Sequence, residues 1–189
     1  MKTYRLGMFI GRFQPFHRGH KAIIDCMLAQ CEQVLIVVGS SQEKGTAKNP
    51  FPAWERMDMI YETYRRRGIH INVLAMPDRL TVGNDSGWGD YVMEYVKNYG
   101  YEPDAIFQGT EVERDTWFTN WEVDIINISR LSLPISATLI RSAIIEKNED
   151  FVRQWCPPVV AEYIIRSIYW GNGFSWLQEI EHNELGEPQ

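Results

Sequence analysis

Short apolar runs alternate along this chain with longer segments of helical spacing, and this alternation constrains the fold more than any other feature. The runs have the length of buried strands, and each is followed by enough residues for a crossover helix. Strands that recur in this way favour a parallel sheet with helices on both faces, in which ligands bind beyond the carboxyl ends of the strands. The predicted strands are residues 6–10, 34–39, 69–75, 105–108 and 124–128.

The helical segments are recognised by apolar residues that fall on one face. The first segment, residues 21–31, has such a face with Cys31 at its end, and two others occupy 57–64 and 91–96. After residue 128 the pattern changes to helices with little strand character. We therefore predict an α/β fold, an open parallel five-stranded sheet with a C-terminal helical segment, over residues 1–170, and a tail at 171–189 that belongs to the same domain or frays. The predicted C-terminal helices are 136–145, 149–155 and 157–169.

Composition narrows the classes of function and the compartment. A formal net charge of −6 argues against a nucleic-acid binder, and the basic run at 65–67 is typical of a solvated helix end. Three scattered cysteines form neither a disulfide framework nor a Cys-x-x-Cys metal site. No apolar run approaches membrane-spanning length, and no signal peptide is recognised, so we expect a cytoplasmic protein with no membrane partner.

The turn from Gly11 to His20 joins the first predicted strand to the first predicted helix and carries the strongest chemical signal. A helix N-terminus presents unpaired backbone N–H groups and the positive end of the helix dipole, which together favour anions. His17 and His20, three residues apart, can share one helical face there, and Arg12 supplies a forked donor. The turn therefore predicts a phosphate site. The alternative is a turn histidine with satisfied hydrogen bonds beside one that caps the helix.

The spacing Gly11-x-Phe13-x-Pro15-x-His17-x-Gly19-His20 resembles the signature of the HxGH nucleotidylyltransferases. Within that superfamily, the chain most closely resembles the archaeal type of nicotinamide-mononucleotide adenylyltransferases. The resemblance implies a Rossmann-like fold and a direct, in-line attack on ATP without a covalent enzyme intermediate. It implies catalytic roles for His17, His20, Arg12 and Arg141.

A second motif, Ile135-Ser-Ala-Thr-Leu-Ile-Arg141, opens the first of the C-terminal helices, with Ser136 as the predicted N-cap. It matches the ISxTxxR motif of the same superfamily, whose polar residues contact the β- and γ-phosphates. The segment ending in Gly109-Thr110 is expected on the adenosine side, although many relatives have Asn or His where this chain has Thr110. The residues that the resemblance assigns to ATP binding are Gly11, Phe13, Gly19, Gly109, Ser136 and Thr138.

A third pattern, between Gly39 and Arg56, narrows the resemblance to the archaeal type. The resemblance places Arg56 near a substrate phosphate, whereas Asn49 is expected to order the loop. It also places Trp88 where it stacks on the nicotinamide ring, an arrangement that a cationic pyridinium favours. The alternatives are a surface ion pair for Arg56 and ordinary packing for Trp88. The residues assigned to the acceptor substrate are Gly39, Ser40, Asn49, Arg56, Asp78 and Trp88.

The resemblance implies ATP and nicotinamide mononucleotide as substrates and NAD and pyrophosphate as products. Mg²⁺ would arrive on the ATP phosphates, because the sequence shows no cluster with the spacing of metal ligands. A homo-oligomer is expected by analogy. Two alternatives stay open: another HxGH transferase, acting on nicotinate mononucleotide, phosphopantetheine or a cytidylyl acceptor, and a regulatory module that binds NAD without turnover.

Overall fold

The computed structural model describes residues 2–79, 87–110, 115–129 and 133–170, without the side chains of 115–116 and 168–170. These residues form five β-strands, six α-helices and one short 3₁₀ helix. The strands are β1 (Tyr4–Gly11), β2 (Cys31–Val38), β3 (Asn72–Ala75), β4 (Ala105–Gly109) and β5 (Asp124–Ile128). The α-helices are α1 (Arg18–Gln30), α2 (Ala53–Arg65), α3 (Trp88–Asn98), α4 (Ala137–Ile145), α5 (Glu149–Trp155) and α6 (Pro158–Trp170), and the 3₁₀ helix is Asp115–Phe118.

All five strands pair in parallel in the order β3-β2-β1-β4-β5, which confirms the predicted α/β class. The central strand β1 pairs with β2 over seven residue pairs and with β4 on its other side, where Met8 lies opposite Ile106. The chain therefore leaves β1 toward one edge of the sheet and later returns to the opposite side. This reversal opens a crevice at the carboxyl ends of β1 and β4, where open α/β sheets bind their ligands.

The two faces of the sheet bury separate apolar clusters, which confirms that helices cover both. One cluster contains Phe9 and Phe107 of the sheet with residues of α1, α2, α4, α5 and α6. The other contains Met8 and Ile106 with residues of α3 and Phe118 of the 3₁₀ helix. Because successive strand residues point to opposite faces, each strand contributes apolar residues to both clusters.

The predicted element boundaries differ from the observed ones in two instructive places. Cys31 does not extend the first helix: its backbone is extended, it pairs with Tyr4, and it begins β2. The third strand starts at Asn72 instead of residue 69, because Gly68 adopts a φ of +67° and Ile69 N–H bonds back to the Tyr64 carbonyl after α2. Both differences arise from backbone hydrogen bonds that apolar spacing does not encode.

The C-terminal helical segment is present, and its last helix ends at Trp170. The predicted tail, 171–189, lies outside the described residues. Within the described ranges, no helix is both long enough and apolar enough to cross a membrane.

Candidate functional site

A cleft with an empty volume of about 690 Å³, its open mouth included, lies at the carboxyl ends of β1 and β4. Its walls come from β1, the turn that follows, α1, β4 and the first two turns of α4. Six of the sixteen residues that the sequence assigns to the site line it together, although they are as much as 130 positions apart: Gly11, Arg12, Phe13, His20, Gly109 and Arg141. The remaining lining residues are Phe9, Ile10, Gln14, Ile23, Gln108 and Ala137.

The two histidines lie at the N-terminus of α1 with their rings stacked, 3.7 Å between centroids and 22° between planes. His17 is the N-cap, just before the first helical residue, and its Nδ1 accepts from the N–H of Gly19 at 3.1 Å. His20 Nδ1 accepts from the N–H of His17 at 3.4 Å. A neutral imidazole whose Nδ1 accepts carries its proton on Nε2, so capping gives both rings an Nε2–H donor.

This geometry resolves the two interpretations of the histidine pair. Both rings cap the helix through Nδ1, so the capping alternative is correct for that nitrogen in His17 and in His20. Capping uses Nδ1 and leaves the donor character of Nε2 in place, so it does not compete with phosphate binding. His17 is buried and lies behind the cleft, whereas His20 is partly exposed and lines it.

Two arginines reach the cleft from opposite walls. Arg12 follows β1 and is exposed. Arg141, in α4, donates from Nη1 to the carbonyl oxygen of Gln14 at 2.8 Å and from Nη2 to Thr138 Oγ1 at 3.1 Å. Burial and the nearby positive charge of Arg12 both lower the pKa of Arg141. The two positive charges therefore lie close together. Among the described residues, neither forms an ion pair with a carboxylate within 4.0 Å. The cleft therefore holds positive charge suited to an anion.

Arg56 is fully buried beneath the same cleft. Its Nη1 donates to the carbonyl oxygens of Arg12 and Gly39 at 2.7 and 2.8 Å, and its Nη2 donates to that of Ser40 at 3.0 Å. Burial lowers its pKa to about 10, with Arg12 acting in the same direction and Asp78 opposing it. The surface ion pair with a neighbouring carboxylate of α2 is therefore wrong. Arg56 fastens the loops after β1 and β2 to each other, and a direct contact with substrate phosphate stays a prediction.

The hydrogen bonds of Arg56 that join the loops after β1 and β2 form a clamp, called the Arg56 clamp below. Three predicted acceptor-side residues, in the loops after β2 and β3, lie next to it. Gly39 N–H donates to the carbonyl oxygen of Gly11 at 2.9 Å. Ser40 Oγ donates to Asp78 Oδ1 at 3.1 Å, so the carboxylate after β3 is tied to the loop after β2. Gln42 strengthens this tie, since its amide donates to Asp78 Oδ2 at 2.9 Å and accepts from the N–H of Asp78 at 3.0 Å.

Further along the same loop, the backbone of Asn49 takes part in a turn, and the ordering role expected of its side chain stays a prediction. Its N–H donates to Thr46 Oγ1 at 3.0 Å, and Thr46 N–H donates to its carbonyl oxygen at 3.3 Å. The side chain of Asn49 is buried, and its Oδ1 has no hydrogen-bond partner among the described residues. These contacts close a tight turn that fixes how the loop returns to Phe51 and α2.

Trp88, the first residue of α3, does not line the cleft that holds His20 and the arginines. Its ring lies 4.7 Å from that of Trp117 at an angle of 57°, and it packs against the apolar cluster on the α3 face. Gly89 allows this approach, because a Cβ there would lie 1.7 Å from the Trp117 carbonyl oxygen. The alternative of ordinary packing is therefore correct for the contacts of Trp88 with Trp117 and the apolar cluster. Stacking of Trp88 on a nicotinamide ring stays a prediction.

The N-terminus of α4 faces the cleft alongside that of α1. Ser136 is the N-cap, and its Oγ accepts from the N–H of Leu139 at 3.3 Å. Thr138 accepts from Arg141, and Ala137 lines the cleft itself. Two helices thus direct their positive dipole ends and first-turn N–H groups at one space, which is the geometry that binds phosphate groups.

The sequence analysis did not single out two buried glutamines of the site, although Gln108 lies in the segment that it expected on the adenosine side. Gln14 and Gln108 both line the cleft, with exposed fractions of 2% and 4%. Gln108 donates to Asn127 Oδ1 of the adjacent strand at 2.9 Å. A polar residue inside an apolar strand, as Gln108 is, or beside buried apolar residues, as Gln14 is beside Phe13, was the available signal.

Within the described ranges, no group of three or more His, Cys, Asp and Glu side chains is placed to hold a metal ion. Among the described residues, the polar side chains that line the cleft are those of Arg12, Gln14, His20, Gln108 and Arg141. A divalent metal entering such a space is suited to ligation by phosphate oxygens and water.

Comparison with known proteins identifies the family. The sequence model of the family described as cytidylyltransferase-like matches residues 8–143. The nicotinamide-nucleotide adenylyltransferase of Thermococcus sibiricus is 33% identical over 164 residues, which cover 84% of this chain and 82% of that protein. Nicotinamide-nucleotide adenylyltransferase 1 of Sulfolobus acidocaldarius is 27% identical over 184 residues, 95% of this chain and 98% of that protein.

A solved structure shares the fold. It is the bifunctional NMN adenylyltransferase/ADP ribose pyrophosphatase of Francisella tularensis, complexed with AMP and a manganese ion. The TM-score is 0.66 at 23% identity, and the match covers 98% of this chain. The chain spans 57% of the length of that bifunctional protein.

Proposed function

The chain belongs to the cytidylyltransferase-like family, and we propose that it is a nicotinamide-nucleotide adenylyltransferase. It transfers the adenylyl group of ATP to nicotinamide mononucleotide, giving NAD and pyrophosphate in NAD biosynthesis. The observation that carries this proposal is the convergence of His20, Arg12 and Arg141 with the N-termini of α1 and α4 on one cleft. The archaeal relatives, alike over most of their length, support the choice of reaction.

ATP lies in this proposal with its triphosphate against the two helix N-termini. A phosphate oxygen of the mononucleotide attacks the α-phosphorus in line, the bond to the bridging oxygen breaks, and pyrophosphate leaves with the electron pair. Negative charge grows on the departing phosphates, where the Nε2–H groups of the histidines, Arg12 and Arg141 are suited to stabilise it. No side chain forms a covalent intermediate, so catalysis consists of positioning and electrostatic stabilisation.

The acceptor occupies the side of the cleft toward the loop after β2. The Arg56 clamp and the Ser40–Asp78 hydrogen bond support this placement, because both order the loop next to the phosphate turn. In this proposal Trp88 offers its ring to the nicotinamide, and Gly39 and Asn49 shape the loop that borders the acceptor.

When bound to ATP, Mg²⁺ would neutralise part of the phosphate charge. The polar side chains that the described residues bring to the cleft are arginine, histidine and glutamine, and in this proposal phosphate oxygens and water hold the ion. The homo-oligomeric assembly and the cytoplasmic location expected from the sequence stay predictions.

The test is pyrophosphate release from Mg-ATP with nicotinamide mononucleotide, nicotinate mononucleotide and phosphopantetheine offered separately. We expect release and NAD formation with the nicotinamide substrate, and a loss of about a hundredfold or more in rate in His17→Ala. His70→Ala is the matched control, because His70 is exposed and follows α2, outside the cleft lining. Its rate should equal that of the parent protein.

Each other outcome contradicts the proposal in a different way. Release with phosphopantetheine alone would retain adenylyl transfer and overturn the acceptor. No release with any acceptor, combined with NAD binding, would place the chain among regulatory NAD-binding modules.

A further inference from the structure

Gln14, in the turn between β1 and α1, makes a reciprocal pair of hydrogen bonds with a residue 37 positions away. Its Nε2 donates to the carbonyl oxygen of Phe51 at 2.7 Å, and the N–H of Phe51 donates to its Oε1 at 2.9 Å. Both bonds are buried, and Phe51 is itself fully buried. Only a carboxamide of this length supplies a donor and an acceptor side by side, so the pair specifies glutamine.

The main chain of the same residue holds the opposite wall of the cleft. The carbonyl oxygen of Gln14 accepts from Arg141 Nη1 at 2.8 Å. Gln14 therefore contacts the loop that follows β2 through its side chain and the arginine of α4 through its backbone. In the proposed reaction, the first is the acceptor side and the second is the ATP side.

The loop from Gly39 to Phe51 is fastened to the phosphate turn near both of its ends. At its start, Gly39 N–H bonds to Gly11 and the carbonyl oxygens of Gly39 and Ser40 accept from Arg56. Near its end, the Gln14–Phe51 pair joins the loop to the turn. Removing the Gln14 amide leaves the first attachment intact and takes both side-chain hydrogen bonds from the second.

We propose that Gln14 is a positioning residue that sets the acceptor-side loop in register with the phosphate-binding turn and Arg141. This inference rests on the proposed function. In-line transfer requires the attacking oxygen within about 3–3.5 Å of phosphorus, so a shift of about 1 Å in the loop lowers the rate strongly. Gln14 acts through Phe51 and Arg141.

The test is Gln14→Met, which keeps nearly the same length and volume but cannot form either side-chain hydrogen bond. The matched control is Tyr64→Phe, because the Tyr64 hydroxyl also makes two hydrogen bonds, to the Lys21 carbonyl oxygen and to Asp25, away from the cleft. Steady-state kinetics are measured with each substrate varied in turn, and thermal unfolding is measured for both variants.

We expect Gln14→Met to raise the KM for nicotinamide mononucleotide about fivefold or more and to lower kcat about tenfold, because the acceptor loses its alignment. The KM for ATP should stay within about twofold, because the backbone bond to Arg141 survives. Tyr64→Phe should leave all three parameters unchanged. A fall in unfolding temperature in both variants with no change in the acceptor KM would overturn the proposal, and so would an equal rise in both KM values.

Two further measurements keep the outcome clear. Gln14→Asn retains donor and acceptor on a shorter stem and should give kinetics between those of the parent protein and Gln14→Met; kinetics no better than those of Gln14→Met would contradict the proposal. Hydrogen exchange of residues 41–51 should accelerate in Gln14→Met and not in Tyr64→Phe, and unchanged exchange would overturn it. A parent protein inactive with every acceptor would instead refute the proposed function, whereas hydrogen exchange would still test the attachment of the loop.

Discussion

At the scale of single residues, the histidine pair divides its work between the two nitrogens of each ring. Nδ1 of His17 accepts from Gly19, and Nδ1 of His20 accepts from the N–H of His17, so both are structural. Nε2 is the nitrogen that the proposed chemistry uses. Stability and activity can therefore be separated at one position.

His17→Asn should retain most of the stability, because an asparagine oxygen caps a helix about as well as any side chain. His17→Ala should lose about 1 kcal/mol of unfolding free energy through the missing cap. Both should lose about a hundredfold or more in kcat, because neither supplies the Nε2–H donor. Urea unfolding and pyrophosphate release measure the two effects, and an active His17→Asn would show that capping is the whole function of His17.

Arg56 shows how a buried charge can act through hydrogen bonds to backbone alone. Its three donations, to the carbonyl oxygens of Arg12, Gly39 and Ser40, require the planar fork of a guanidinium. A lysine at this position can reach fewer of these oxygens, and each one left unpaired carries a desolvation cost.

Arg56→Lys should lower the free energy of unfolding by about 2–4 kcal/mol, measured by urea denaturation. Arg65→Lys is the matched control, because Arg65 is exposed and pairs with Glu62 on the surface of α2. Its denaturation midpoint should equal that of the parent protein. Equal midpoints for all three proteins would show that the Arg56 clamp adds nothing to stability.

The sequence pattern predicted that Arg56 belongs to the site, but it did not predict the direction of its guanidinium group. Its spacing from Gly39 follows a pattern in the chain, whereas the direction of its guanidinium depends on how α2 packs beneath the loops. Gln14 was missed for a related reason, since its partner Phe51 is 37 positions away and nothing local marks the pairing. Contacts of this kind are decided by tertiary structure.

At the scale of helices and strands, local patterns were more informative. Helix α5 matches its predicted bounds, and Ser136 caps α4 as expected. Helix caps and apolar faces depend on residues close together in the sequence, so local patterns predict them. The order of the strands was not predictable in the same way. The pairing of β1 with β4 joins residues about a hundred positions apart, and no periodicity specifies which strands become neighbours.

Ser136→Ala and Asn148→Ala remove equivalent N-caps, from α4 and from α5. Each should lower the free energy of unfolding by about 1 kcal/mol. Only Ser136→Ala should also raise the KM for ATP, by about threefold to tenfold, because α4 begins at the cleft and α5 does not. Urea unfolding and kinetics with ATP varied separate the two effects, and an unchanged KM in Ser136→Ala would contradict the role of this helix end.

At the scale of the whole molecule, buried thiols make stability depend on alkaline pH. Burial raises the pKa of Cys31 to about 11 and that of Cys156 to about 12. In the unfolded chain, both thiols lose their protons near pH 9, while the folded protein retains them. The unfolded state then binds fewer protons, so this contribution is complete below pH 9 and is lost as pH rises toward 11.

The free energy of unfolding should therefore fall between pH 9 and 11, by up to about 1.4 kcal/mol per pH unit for each thiol. Urea denaturation at half-unit intervals of pH measures the slope. Cys156→Ala should make the slope shallower, whereas Cys26→Ser should not, because Cys26 is only partly buried. A slope that is the same in all three proteins would assign the alkaline loss to other groups.

The hydrogen bond between Arg141 and Gln14 spans 127 positions, and this separation has a consequence for how the protein is made. At roughly 5–20 residues per second, a ribosome adds the arginine on the order of 6–25 s after the glutamine. Throughout that interval the nascent chain carries both histidines without the cation that faces them across the cleft. A product of interrupted translation that stops before α4 therefore lacks Arg141 and one of the two helix N-termini that face the cleft.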